Sequence, residues 1–87
     1  MAHILNKITN VPIEILKNQL NKDAKEHALH DMYLEHIWQN DDNKDEVIFL
    51  FKTKNLSKAK KYIHSMHTKV KKENPTLTLP ETIFLQN

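Results

Sequence analysis

The chain has 87 residues and contains no glycine, no cysteine and, since all thirteen of its basic residues are lysine, no arginine; average usage would supply roughly six glycines. These absences exclude the P-loop, the Gly-rich dinucleotide fingerprint and the Gly-flanked serine elbow, together with disulfides, thiolate nucleophiles and Cys-type zinc sites. A net charge of +2 is too small for electrostatics alone to recruit nucleic acid.

Residues 3–9, His-Ile-Leu-Asn-Lys-Ile-Thr, are short and partly alternating and predict a strand. Asn10, Pro12 and Glu14 then combine a capping residue, a proline tolerated in a first turn and an acid near the positive end of a helix dipole. Ile13, Leu16, Leu20, Ala24 and His27 or Ala28 follow at helical spacing, so one helix is expected over about 11–30. Residues 32–39 switch to β-type composition, Asn40-Asp-Asp-Asn-Lys-Asp45 is a polar turn, and Val47-Ile-Phe-Leu-Phe51 is apolar on both faces of a strand over 46–52. Asn55 or Ser57 begins a second helix with an apolar stripe of Leu56, Ala59, Ile63, Met66 and Val70, ended by Pro75. Residues 82–86 form a last short strand after an extended linker. With no glycine to use, Asn40, Asp41, Asp42, Asn43 and Asn74 are expected to take the turns that glycine usually takes.

The order β-α-β-β-α-β predicts a single α+β domain over residues 1–87 with the ferredoxin-like topology, both helices on one face of a four-stranded antiparallel sheet. Apolar residues on the other face would expose a larger patch than monomers tolerate. Pairing two sheets face to face removes that patch, so a homodimer is expected. The first residues, Met1-Ala-His-Ile-Leu-Asn-Lys7, lack a signal-peptide pattern, and no stretch approaches the ~18 apolar residues of a membrane span. A cytoplasmic protein without a membrane or nucleic-acid partner is therefore expected.

Leu34-Glu-His-Ile-Trp-Gln-Asn-Asp-Asp-Asn-Lys-Asp-Glu-Val-Ile-Phe-Leu-Phe51, Lys54-Asn-Leu-Ser-Lys-Ala59 and Pro80-Glu-Thr-Ile-Phe-Leu85 form a strand, an acidic turn, a strand, a Leu-x-Lys-Ala helix start and a Pro-led terminal strand. Over residues 34–86 the chain resembles the dimeric α+β barrel superfamily, which includes small antibiotic-biosynthesis-type monooxygenases and haem-degrading enzymes. Within it the chain is similar to an uncharacterised branch, departing from it in Asn74-Pro75 where that branch tends to carry a glycine. The resemblance implies a homodimer and, as one alternative, a cofactor-independent or haem-linked monooxygenase. Haem-degrading members use an Asn on the first strand and a Trp and an axial His on the later helix. The corresponding positions here are Asn6, to hydrogen-bond the reacting oxygen species, and His64 or His67, as axial ligand or base. The later helix has no Trp; Trp38 lies on the second strand.

The residues themselves offer little catalytic chemistry. His27/His30 and His64/His67 are His-x-x-His pairs, and residues three apart on a helix share a face. Completing a metal site would draw on His36, Glu35 or His3, and no acid stands at a zincin spacing; chance meets a spacing of three easily, so no metal site is assigned. Tyr33, Trp38, Phe49, Phe51 and Phe84 fall on the strands. Those facing a barrel interior would line an apolar ligand cavity, with Asn6, Glu35 and His36 as its polar groups; otherwise they pack the dimer core. Glu35 and His36, as strand neighbours, are expected on opposite faces. Ser57 reads as a helix-start residue and Ser65 as mid-helix, neither a nucleophile. Lys58, Lys60, Lys61, Lys69, Lys71 and Lys72 read as a solvated helix face, because the third strand lacks the Gly-aromatic motif of RNA-recognition modules. The expected function is binding of a small apolar or aromatic ligand by a homodimer without a cofactor; the alternatives are the monooxygenase and a structural or regulatory interaction module.

Overall fold

A computed structural model describes residues 1–86. Strand β1 (Ala2–Thr9) leads into helices α1 (Ile13–Lys22) and α2 (Ala24–Leu29), then strands β2 (Tyr33–Gln39) and β3 (Glu46–Thr53), helix α3 (Leu56–Glu73) and strand β4 (Glu81–Leu85). The strands form one open sheet in the order β2-β3-β1-β4, with all neighbours antiparallel. This is the ferredoxin-like α+β arrangement that the element order predicts.

Alternation builds the two central strands. Ala2, Ile4, Asn6 and Ile8 of β1 are buried, as are Val47, Phe49, Phe51 and Thr53 of β3. The register sets these side by side, with Ile4 opposite Phe51, Asn6 opposite Phe49 and Ile8 opposite Val47. Leu16 and Leu20 from α1, Met32, and Ala59 and Ile63 from α3 complete one core with them. With His27 of α2 packed against Phe51 at 5.2 Å, all three helices lie on the same side of the sheet.

The first helix is not continuous. Asp23, with φ −89° and ψ 2°, ends α1 and begins α2. Its N–H still bonds to Gln19 O and its carbonyl still accepts from His27 N–H, so the interruption is confined to one residue of low helix propensity. The Asp23 carboxylate accepts from Gln19 Nε2 at 2.9 Å. Asn10 is not the cap that its type suggests: Pro12 holds that position without a side-chain bond. Asn55 does cap α3, its side-chain oxygen accepting from Lys58 N–H at 3.1 Å.

Left-handed backbone also falls elsewhere than the sequence implies. Asn10 (φ 64°) and Asp31 (φ 60°) adopt it, the two residue types for which it costs least after glycine. Asn10 N–H reaches Asp45 O at 2.8 Å, tying the β1–α1 loop to the β2–β3 turn. Asn40 and Asn43 instead shape their turn through side-chain oxygens that accept from Asp42 N–H and Asp45 N–H. Asn74 stays at φ −143°.

At Asp31 the left-handed turn aims a carboxylate at the start of α3. One oxygen accepts from the Thr53 hydroxyl at 3.1 Å, Lys54 N–H at 2.8 Å and Asn55 N–H at 2.6 Å. Desolvation, the largest single influence, pushes the Asp31 pKa up, but the bonds from Asn55, Thr53 and Lys54 with the Lys54 charge outweigh it. The carboxyl is held below its ordinary 3.8, and the entry to β2 is fastened to the β3–α3 junction.

Candidate functional site

Between the sheet and the helices lies a cleft of about 570 Å³. Its floor is Asn6 and Ile8 of β1 with Phe49 and Phe51 of β3. One wall comes from α1, α2 and Met32, with Leu16, Leu20 and His27 inside and Gln19, Asp23 and Glu26 at the margin. Tyr62, Ile63, Met66, His67, Lys69 and Val70 of α3 form the other wall, and Leu77, Thr78, Leu79 and Pro80 of the connection to β4 also line the cleft. The apolar stripe of α3 explains this opening. Ala59 and Ile63 are buried at the sheet, while Met66 and Val70, further along the same stripe, border open space.

The apolar lining is interrupted by Asn6, His27, Tyr62 and His67, with Gln19, Asp23, Glu26, Lys69 and Thr78 also bordering the cleft. Asn6 is only 4% exposed; its Oδ1 accepts from the Thr82 hydroxyl at 2.8 Å, and its Nδ2 lies 3.4 Å from Ile4 O. His27 meets Phe51 edge to face at 5.2 Å, and His30 stacks on Tyr62 at 3.8 Å between ring centroids. Burial pushes the His27 pKa down; Asp23 and Glu26 pull it up and His30 pushes it down, with a net lowering. Burial likewise lowers His67, assisted by His64, and both lowerings favour neutral imidazoles. The Tyr62 pKa is raised by burial first and then by Glu26 and Asp23.

The sheet divides the candidate residues. Asn6, Phe49, Phe51 and His67 line the cleft together. Phe84 pairs with Ile4 on the helix side of the sheet, but packs against His64 at 5.8 Å with Lys60 Nζ 5.1 Å from its ring centroid, and neither aromatic enters the cleft lining. Tyr33, His36 and Trp38 stand on the opposite, open face, where His36 stacks on Trp38 at 4.9 Å. A β-bulge between Leu34 and His36 shifts the register there. It brings Glu35 to the open face too, its Oε1 3.0 Å from His3 Nε2 across β3; the extra residue defeats the strict alternation that would separate Glu35 from His36.

Two cleft residues outside the expected set are His27 and Tyr62. The signal for His27 was its place in the apolar stripe of the first helix, where a histidine reads as a margin residue. Tyr62 gave none, because it sits beside the stripe and enters the cleft only through the spacing between helices. The His-x-x-His pairs are engaged otherwise, since His30 lies on Tyr62 and 3.6 Å from Glu26. Among the described residues no group of three or more His, Asp or Glu is placed to hold a metal ion.

The site and sheet thus define an α+β protein with a partly closed apolar cleft on one face and an open apolar sheet on the other. The chain is similar to protein Atu4242 from Agrobacterium tumefaciens, known from a crystal structure, with a TM-score of 0.57 at 10% sequence identity over 99% of this chain and 92% of that one. At that identity the likeness shows the fold alone. No family model and no curated protein matches the sequence. No helix among the described residues is long and apolar enough to cross a membrane.

Proposed function

We propose that the protein binds a small apolar or aromatic molecule in the cleft between sheet and helices, and does so as a cytoplasmic homodimer joined through its open sheet faces. The cleft itself carries this reading: about 570 Å³, with Ile8, Leu16, Leu20, Phe49, Phe51 and Ile63 supplying apolar surface and polar side chains set among and around them, it has the form of a small-molecule site. The dimer is supported by the open face. Leu5, Ile48 and Leu50 run across its centre, flanked by Trp38 on β2 and Ile83 and Leu85 on β4. Lys7, Glu46, Lys52 and Glu81 stand around them, with His36 beside Leu50 and the His3–Glu35 contact crossing β3, a mixed apolar and charged surface of the kind that protein interfaces bury.

Titration with 2-ethylnaphthalene, followed by methyl NMR, tests the cleft. The Leu16, Leu20 and Ile63 methyl signals should shift, and Met66→Trp, which fills the space, should abolish the shift. Unmoved signals up to the solubility of the probe would dispose of the ligand reading and leave an interaction module. Light scattering tests the dimer, which requires twice the 10.3 kDa of one chain.

Oxygen chemistry on the bound molecule is a second reading, favoured by one observation: Asn6 and His67 border the same cleft from floor and wall. The haem-linked form fits poorly. His64 lies against Phe84 outside the cleft, Trp38 stands on the far face, and only Asn6 and His67 of the implied set come together. Haemin added to the purified protein is therefore expected to show no shift of its Soret band.

A further inference from the structure

We propose that the cleft selects molecules that present a hydrogen-bond acceptor oxygen, such as a ketone carbonyl, from an apolar body, and that Thr82 is the residue that fixes this selectivity. The proposal rests on the reading of the cleft as a ligand site. It starts from an anomaly in β1, where Ala2, Ile4 and Ile8 share the buried face with an asparagine. A buried amide is costly unless its polar atoms are partnered, so the partners of Asn6 define what it can still offer.

Those partners determine which way the amide faces. Nδ2 and Oδ1 are alike in shape, and the hydrogen-bond surroundings distinguish them. A backbone carbonyl only accepts, so the atom facing Ile4 O at 3.4 Å is the nitrogen. The oxygen then faces Thr82 Oγ1 at 2.8 Å, and the hydroxyl donates to it. Asn6 and Thr82 are register partners on β1 and β4, so the sheet itself holds this contact. An amide nitrogen carries two N–H groups. The long contact to Ile4 O engages one, and no second acceptor meets the nitrogen among the described residues. Asn6 therefore offers the cleft a donor, while its acceptor oxygen is committed to Thr82. Thr82 acts through Asn6 and is a positioning residue.

A matched pair of probes tests this. 2-Acetonaphthone carries an acceptor oxygen and no donor; 2-ethylnaphthalene carries neither. The wild-type protein should bind the ketone about fivefold more tightly, the size of one neutral hydrogen bond, and the Asn6 side-chain NH₂ signal should move with the ketone alone. Thr82→Ser keeps the hydroxyl and should keep the preference. Thr82→Val frees the amide to turn and should bring the ratio of affinities close to one. Equal binding of both probes with an unmoved Asn6 signal would overturn the proposal while leaving the cleft as a ligand site. A folded Thr82→Val protein with the full preference would remove Thr82 from the account. Trp38 lies on the other face of the sheet, so quenching of its emission without an Asn6 response would put the probe on the wrong surface and also count against the proposal. If neither probe binds, the underlying reading of the cleft fails as well.

Discussion

The two faces of the sheet are made by the same strands and end in opposite conditions. On the helix side, Ile4 is fully buried and Val47 is 1% exposed. On the open side, Tyr33 and Trp38 remain 44% and 47% exposed, and Ile83 and Leu85 are exposed with them. Composition separates the faces only in part: both carry leucine, isoleucine and aromatic side chains, but Lys7, Glu35, Glu46, Lys52 and Glu81 stand on the open face alone. The helices complete the difference, removing one apolar surface from water and leaving the other uncovered. Even the covered face is incompletely closed, because only the first half of the α3 stripe reaches the sheet.

That contrast can be broken most severely from the covered side. Ile4→Ala removes a side chain with no exposed surface, and deletions of this kind cost about 2–5 kcal/mol. Urea unfolding should show a loss in that range; a loss below about 1 kcal/mol would mean that the core collapses around the gap. On the open face the expected effect concerns assembly. Leu50→Glu puts a charge between Leu5 and His36 at the centre of the sheet, and should halve the mass seen by light scattering while the circular dichroism of the protomer is kept. A dimer that survives Leu50→Glu unchanged would place the contact elsewhere.

Between these lies the Asp31 clasp. Asp31→Asn retains a residue type that accepts left-handed backbone but loses the charge, so the variant should melt at a lower temperature at neutral pH. Because the folded-state pKa lies below the ordinary 3.8, the carboxylate contributes stability above 3.8, and that contribution disappears as pH falls through the lower, folded value. Melting temperatures of the two proteins should therefore converge in strong acid. A gap of constant size across the acid range would assign the loss to shape instead of charge.

The element order was legible because two signals agree along most of the chain. β1 alternates in part and β3 is a short apolar run bounded by polar residues, and the α3 stripe repeats at helical spacing after a genuine cap at Asn55. What was not legible depends on single residues that leave the general pattern intact. Asp23 interrupts a helix whose apolar spacing continues through it. The bulge beside Glu35 adds one residue to β2 and moves its carboxylate across to His3, an event that no alternation count registers. Asn10 and Asp31 take the left-handed positions, whereas the Asn-rich turn that looked suited to them is organised by side-chain hydrogen bonds. Of the cleft lining, Phe49 and Phe51 could be named from their strand, while Asn6 and His67 came to notice through the family resemblance. The Asn6–Thr82 bond joins residues at opposite ends of the chain, and Tyr62 enters the cleft through helix spacing that the sequence does not encode locally.

The smallest expected effect belongs to the two cleft histidines, and it connects the cleft with protonation. Burial lowers both pKa values from an ordinary 6.5, so as pH falls through 6.5 the unfolded chain takes up protons that the folded chain still refuses. Stability is therefore complete above 6.5 and declines below it until the folded pKa of each group is passed. Asp23 and Glu26 moderate this at His27, while His64 adds to it at His67. An apolar molecule in the cleft strips further water from both imidazoles and opposes their charging. Binding of 2-acetonaphthone should consequently weaken between pH 7.5 and 5.5, and a His27→Gln, His67→Gln protein should lose much of that dependence. If the double variant keeps the full pH dependence, the proton acts somewhere other than the cleft, and the lowered histidines have no part in holding the ligand.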